Sequence, residues 1–243
     1  MKKEITQSGF GGDGETKPRR NTEKSRDPYD GIRFWSALTH GIGVLLSIAG
    51  TVWLIARAGI DGSDIWKTVS FAIYGASMIC LYTASTLYHC LRTSVNGRIA
   101  LKKYDHISIY LLIAGTYTPV CLVALRGTLG WWLFGIIWGL ALAGLIMTLF
   151  WITCPRWFSS VVYIAMGWIA IAAVYPLWKA IGWGGVSLLI LGGVIYTVGG
   201  VFYAVKWPGR NNPRFGCHEI FHVFILLGSA AMFLMMRYTI LPM

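Results

Sequence analysis

The sequence predicts an all-α integral membrane protein, a bundle of seven transmembrane helices with its N-terminus in the cytoplasm and its C-terminus outside. Three observations carry this. Of the 243 residues, 56% are hydrophobic and only 13% are charged, a balance far from that of a soluble core. After residue 34 the chain is a succession of long apolar runs. Lys and Arg are also shared very unevenly between alternate loops.

Residues 1–33 stand apart. They are polar, carry eight of the 21 Lys and Arg, and include four glycines before Lys17-Pro18-Arg19-Arg20. This reads as a disordered basic cytoplasmic tail. No apolar core follows the first lysines, so no cleavable signal peptide is expected. The membrane domain is placed over 34–243.

Seven apolar spans follow, at 34–56, 66–91, 105–125, 130–151, 158–178, 184–206 and 217–239. Each is long enough to cross a hydrocarbon core of about 30 Å. The split between the third and fourth rests on Arg126-Gly127 alone, but a single 47-residue span would be far too long. Pro119 and Pro176 are expected to kink or unwind their helices. Gly185, Gly192 and Gly199 recur at seven-residue steps, with Gly193 and Gly200 adjacent, which makes a strip for close helix packing.

Orientation follows from the cations. With this division of the chain, 16 Lys and Arg fall on the side of the N-terminus and five on the other. The cation-rich side faces the cytoplasm. The same distribution accounts for the net charge of +11 without a nucleic-acid partner. The five cysteines are odd in number, lack CxxC spacing and argue against a disulfide framework or a thiolate zinc site. Cys217, beside His218, is the one conceivable thiol ligand.

All five histidines fall at the cytoplasmic end of these spans: His40, His89, His106, His218 and His222. An ionisable group within a membrane span is costly and by default marks a functional site. Ser85 and His89 are four residues apart and share a helix face, as do His218 and His222. Two imidazoles at that spacing begin a zinc site. A third histidine from another helix completes a three-histidine set with an open fourth position. Zinc there would bring the pKa of a water toward neutrality. Asp105 is a candidate to orient an imidazole or carry a proton, and Ser85 to bond the same water or a substrate oxygen. The plainer alternative is that these are polar side chains bonding between helices.

His218-Glu219-Ile220-Phe221-His222 also fits the pattern HExxH. No soluble protease domain surrounds it, and Glu219 is expected near the interface or in a structural contact. His40 follows Thr39 on the first span and could line the site from a third helix, but it and His106 are expected to pack or to bond loops more readily than to ligate.

With those residues placed, the chain resembles the hemolysin III family, the bacterial branch of the superfamily that includes the adiponectin and progestin receptors. The matching stretches are Thr39-His40-Gly41-Ile42-Gly43, Ser85-Thr86-Leu87-Tyr88-His89, Asp105-His106-Ile107-Ser108-Ile109-Tyr110, Ile113-Ala114-Gly115-Thr116-Tyr117-Thr118-Pro119 and His218-Glu219-Ile220-Phe221-His222-Val223-Phe224. The resemblance implies a seven-helix bundle in a bacterial plasma (inner) membrane. It also implies zinc bound by His89, His218 and His222, with Ser85 and Asp105 close by. Members of the family often carry Asn where this chain has Ser36, and an uncharged residue where it has Glu219.

The function expected from this reading is membrane lipid homeostasis, by zinc-dependent hydrolysis of an amide or ester in a lipid, with Asp105 and Ser85 as catalytic groups and membrane lipids as partners. Two alternatives belong to other classes. One is a sensor or regulator of membrane state with structural zinc, and the other is a hemolysin-like pore former.

Overall fold

A chain that crosses a bilayer has to pair its backbone N–H and C=O groups within itself, and helices do so segment by segment. The computed structural model describes residues 32–60, 64–210, 212 and 214–243. The tail expected over 1–33 lies outside the described residues except for its last two. The described residues are helical, with no strand among them. The elements are α1 (Phe34–Ile60), α2 (Ile65–Cys90), α3 (Val95–Pro119, continued by a π turn, Val120–Ala124), α4 (Thr128–Phe150), α5 (Arg156–Trp168), a 3-10 segment (Ile169–Ala173), α6 (Val174–Val205) and α7 (Cys217–Met235, continued by a π turn, Met236–Ile240).

Among the described residues, six helical stretches are long and apolar enough to cross a membrane. Five are α1, α2, α3, α4 and α7 with their extensions. The sixth is the 50-residue stretch Arg156–Val205. Within it Gly182 takes φ 64° and ψ −179°, a backbone state open to glycine and costly for other residues. Beyond that break the helix lies back against the part before it. A Cβ at Gly193 would meet the Trp168 ring at 3.5 Å, and one at Gly200 would meet Ile164 Cδ1 at 3.3 Å.

The glycine strip packs on two sides. Gly193 and Gly200 face the preceding helix, while Gly192 and Gly199 face α7. A Cβ at Gly199 would stand 2.6 Å from Phe224 Cβ, too near for any larger residue. α6 and α7 also share a polar chain with α2. Tyr82 Oη of α2 donates to Ser229 Oγ of α7 at 2.7 Å, and Tyr196 Oη of α6 lies 2.9 Å from that hydroxyl. Hydrogen bonds of this kind join helices where water is absent.

The third span corrects the sequence reading. Its helix begins at Val95, not near 105, so Asp105 and His106 lie well inside it. Ser94 caps it by accepting the Gly97 N–H at 3.2 Å. Residues 96–103 are too polar to register as a membrane span, yet they continue the helix beyond the apolar zone. Cations expected in a loop therefore sit on helix α3. Arg98 bonds the Tyr88 carbonyl and lies 4.1 Å over the Tyr88 ring, while Lys103 Nζ donates to the Leu149 carbonyl at 2.6 Å. Each meets the C-terminal end of a neighbouring helix, where positive charge is favourable.

The two prolines fall beside irregular turns. The π turn of α3 directly follows Pro119, and the 3-10 segment ends at Ala173, directly before Val174-Tyr175-Pro176 opens α6. Tyr117 stitches the latter in place, since its hydroxyl accepts from Ala170 N at 2.7 Å and donates to the Gly167 carbonyl at 2.7 Å. Helix breakers are tolerated in membrane helices when a neighbour supplies such bonds. The break between α3 and α4 falls at Arg126-Gly127, where Gly127 has φ 131°.

Candidate metal centre

Three helix ends build the site. His89 closes α2, while His218 and His222 open α7 one turn apart and therefore on one face. α1 packs against both helices and supplies Ser36 and His40. All three candidate ligands are withdrawn from solvent, with His89 0%, His218 6% and His222 2% exposed.

Their ligand nitrogens all lie within 4.8 Å of one another. The Nε2 atoms of His89 and His218 are 3.0 Å apart. Two nitrogens bound to one tetrahedral zinc at about 2.0–2.1 Å stand roughly 3.3 Å from each other, so this pair is close to chelating distance. His222 directs Nδ1 at the Ser36 carbonyl, 3.3 Å away. With Nδ1–H donating there, Nε2 is left as the basic nitrogen, the arrangement that orients histidine ligands in metal sites. His218 Nδ1 is buried without a hydrogen-bond partner. The residues therefore fit a metal ion: three imidazoles, no thiol, and one ring oriented by a backbone carbonyl. Such a nitrogen-only set suits zinc and other late divalent transition metals.

The remaining expected residues are placed less closely. Ser85 is buried one turn before His89 on α2. Asp105 is half-buried on α3, and its Oδ2 is 3.8 Å from His106 Nδ1. It is not part of the group of mutually close ligand atoms, and neither is Cys217. His106 Nδ1 lies 2.9 Å from the Lys102 carbonyl, one turn back on its own helix, so its ring is engaged locally.

His40 was expected to pack or bond a loop more readily than to ligate, with lining of the site from a third helix as the alternative. It stacks on His222 with ring centroids 3.7 Å apart and planes at 11°, and it meets Tyr82 edge-on at 5.1 Å. Both its ring nitrogens are buried without a hydrogen-bond partner. It thus forms a wall of the site through its ring face.

Glu219 makes the structural contact expected of it, with its side chain buried in the protein. Its side chain is 1% exposed. The carboxylate accepts from Arg33 Nε, from Arg33 Nη2 at 2.8 Å, from Ser36 Oγ at 3.0 Å and from the Gly216 N–H at 2.8 Å. The last bond is half of a capping box at the start of α7. The other bonds join α7 to the start of α1. Arg33 also donates its backbone N–H to the His89 carbonyl at 3.0 Å. One residue therefore ties α1 to the end of α2 and, through Glu219, to the start of α7. Ser36 completes the clamp, with its hydroxyl on Glu219 and its carbonyl toward His222. Sequence reasoning missed Arg33. Its partner is 186 residues away, and only the Gly216-x-x-Glu219 capping spacing hinted that Glu219 faces inward.

Residues 34–233 match the profile of a family described as Haemolysin-III related. The hemolysin-3 homolog of Bacillus subtilis is 48% identical over 198 residues, covering 82% of this chain and 89% of that protein. Hemolysin-3 of Bacillus cereus is 42% identical over 207 residues, covering 85% and 91%. The heptahelical transmembrane protein 1 of Arabidopsis thaliana is 30% identical over 218 residues, covering 79% of this chain and 64% of that protein.

Proposed function

The chain belongs to the haemolysin III family of multi-pass bacterial membrane proteins, with relatives among the adiponectin receptors, and from that premise we propose that it is a zinc protein of lipid homeostasis that hydrolyses an amide or ester bond in a membrane lipid. The observation that carries the proposal is the convergence of three buried imidazoles from two helices at one end of the bundle. Such a cluster in an apolar protein is costly without a function.

His89, His218 and His222 would hold the ion. When bound, it supplies a Lewis acid for a lipid carbonyl and a water acidic enough to be a nucleophile near neutral pH. The chain's own groups do the rest. Ser85 would hydrogen-bond the substrate oxygen one turn from His89. Asp105, on the facing helix, would receive the proton at its carboxylate and return it to the leaving group. The Arg33–Glu219–Ser36 clamp would hold the imidazoles in place. A lipid would enter sideways from the bilayer.

The same reading includes seven crossings, with the N-terminus in the cytoplasm. At about 1.5 Å per residue, Arg156–Val205 as one straight helix would be roughly 75 Å long, more than twice the hydrocarbon thickness. Two crossings joined at Gly182 suit its length and the packing of Gly193 on Trp168. Impermeant labelling of single cysteines at the two termini of intact cells checks this. Labelling of both or neither from outside would overturn an odd number of crossings.

The decisive experiment reconstitutes purified protein in defined lipids and follows fatty-acid release from acyl amides and esters, beside His218→Ala and Asp105→Asn. Release that tracks bound zinc and disappears in both variants supports the reading. Full zinc occupancy with no turnover of either class would refute the hydrolase. That result would favour the second reading, a non-catalytic membrane-state regulator with structural zinc, which the burial of all three imidazoles also suits.

A further inference from the structure

The far end of the bundle holds a second concentration of unusual chemistry. α1 ends there with Arg57, and the π turn after α7 carries Arg237 and Tyr238. Together with Trp53, Leu241 and Pro242 they line an open recess of about 400 Å³. Its walls are fixed from behind. The buried Lys67 donates Nζ to the Leu241 carbonyl at 3.0 Å, which holds the turn that forms one side. The Arg237 guanidinium lies 4.9 Å from the Trp53 ring centroid and 5.0 Å from that of Tyr238. Ring faces on a guanidinium fix its plane and leave its N–H edges for a ligand.

No described carboxylate answers these two cations. Asp64, the acidic residue opening α2 at this end, is paired with Arg126. Both arginines are exposed at the mouth of the recess, so an anion bound there meets two positive charges at once. The recess lies at the ends of two helices long and apolar enough to cross a membrane, α1 and α7 with its extension, and two aromatic rings lie against Arg237. Arg recognises phosphate oxygens bidentately, and aromatic rings cover the adjoining glycerol or acyl carbons.

We propose that Arg57 and Arg237 form a phosphate-binding site, for a phospholipid headgroup or a free phosphate, at the end of the bundle opposite the histidines. It is separate from the histidine site and does not depend on what that site does. From His40 to Arg57 the helix rises roughly 25 Å, so a ligand here cannot touch the imidazoles.

The test uses the full chain in detergent, titrated with short-chain phosphatidylglycerol or with inorganic phosphate and read by native mass spectrometry. Arg57→Gln, Arg237→Gln and Arg237→Lys are compared with Lys179→Gln, an exposed cation at the same end that does not line the recess. Far-UV circular dichroism confirms that each variant is folded. The expected result is one tightly held phosphatidylglycerol per chain, weakened at least tenfold in both Gln variants, weakened less in Arg237→Lys and unchanged in Lys179→Gln. Equal binding of inorganic phosphate would identify the free anion as the ligand, and its absence the lipid. Equal loss in all variants, Lys179→Gln included, would show only net-charge attraction and overturn the site. So would the absence of a complex with either probe.

Discussion

The Glu219 clamp makes a prediction whose size can be worked from its bonds. Glu219→Gln keeps the shape and removes the charge. The carboxylate accepts four hydrogen bonds, two of them from Arg33. An amide has one acceptor oxygen, and because each carboxylate oxygen accepts from the guanidinium, its NH₂ faces an Arg33 donor in either orientation, together with the Gly216 N–H in one of them. Hydrogen bonds to a charged group contribute about 1.5–3 kcal/mol and neutral ones about 0.5–1.5. Breaking a buried pair from one side costs about 3–5 kcal/mol. The Arg33 side chain is 10% exposed and can recover some water, so the lower end applies. We expect Glu219→Gln to destabilise by about 3 kcal/mol, and a double-mutant cycle with Arg33→Met to give a coupling of about 2 kcal/mol, roughly 30-fold in an equilibrium constant. Arg33→Met keeps the backbone bond to His89, so the cycle isolates the side-chain pair. Reversible unfolding in mixed micelles measures the stability, and zinc retention on dilution reads the link to the imidazoles. Orienting partners of metal ligands typically alter affinity 10–100-fold, so retention should fall in the same variants. Additivity within about 0.5 kcal/mol would refute the clamp as an energetic unit.

Three further outcomes follow from single contacts. His40→Ala should retain zinc in a metal assay while His222→Ala loses it, because His40 meets the site through its ring face and is not among the converging ligand atoms. Gly199→Leu should destabilise by about 1–3 kcal/mol by forcing α6 off Phe224, whereas Gly139→Ala, with nothing within 4 Å of the new carbon, should be neutral in the same unfolding assay. Lys67→Met keeps the bulk but leaves the Leu241 carbonyl unpaired, and should cost about 1–3 kcal/mol in the unfolding assay.

Hydropathy found the helices because a bilayer imposes a length and an apolar composition on each, and the Arg126-Gly127 break fell where the sequence placed it. It failed at the start of α3, since residues 96–103 are helical for a reason hydropathy does not register: a serine cap and cations that meet neighbouring helix ends. The histidine grouping was legible because the four-residue spacing of His218 and His222 fixes one face, and charge counting brought His89 to the same depth. The rest depends on contacts between distant segments. Nothing near His40 announces that its ring will lie flat on His222, and nothing near Arg33 announces Glu219. Both contacts arise where α1 and α7 meet, a pairing that local spacing does not encode.

The contact at Gly199 has a consequence for genetics. Every single-base change in a glycine codon that alters the residue adds at least a Cβ, and at this position a Cβ lands on Phe224. No missense route out of position 199 is conservative. A random mutagenesis screen should therefore recover this codon as readily as those of the histidines, although its residue carries no chemical group at all. Gly192 should tolerate more, because its obstacle is the flexible tip of Met232, which can swing aside. An allele map drawn from loss of function would then mark two kinds of place, one that presents chemical groups and one that only has to be empty.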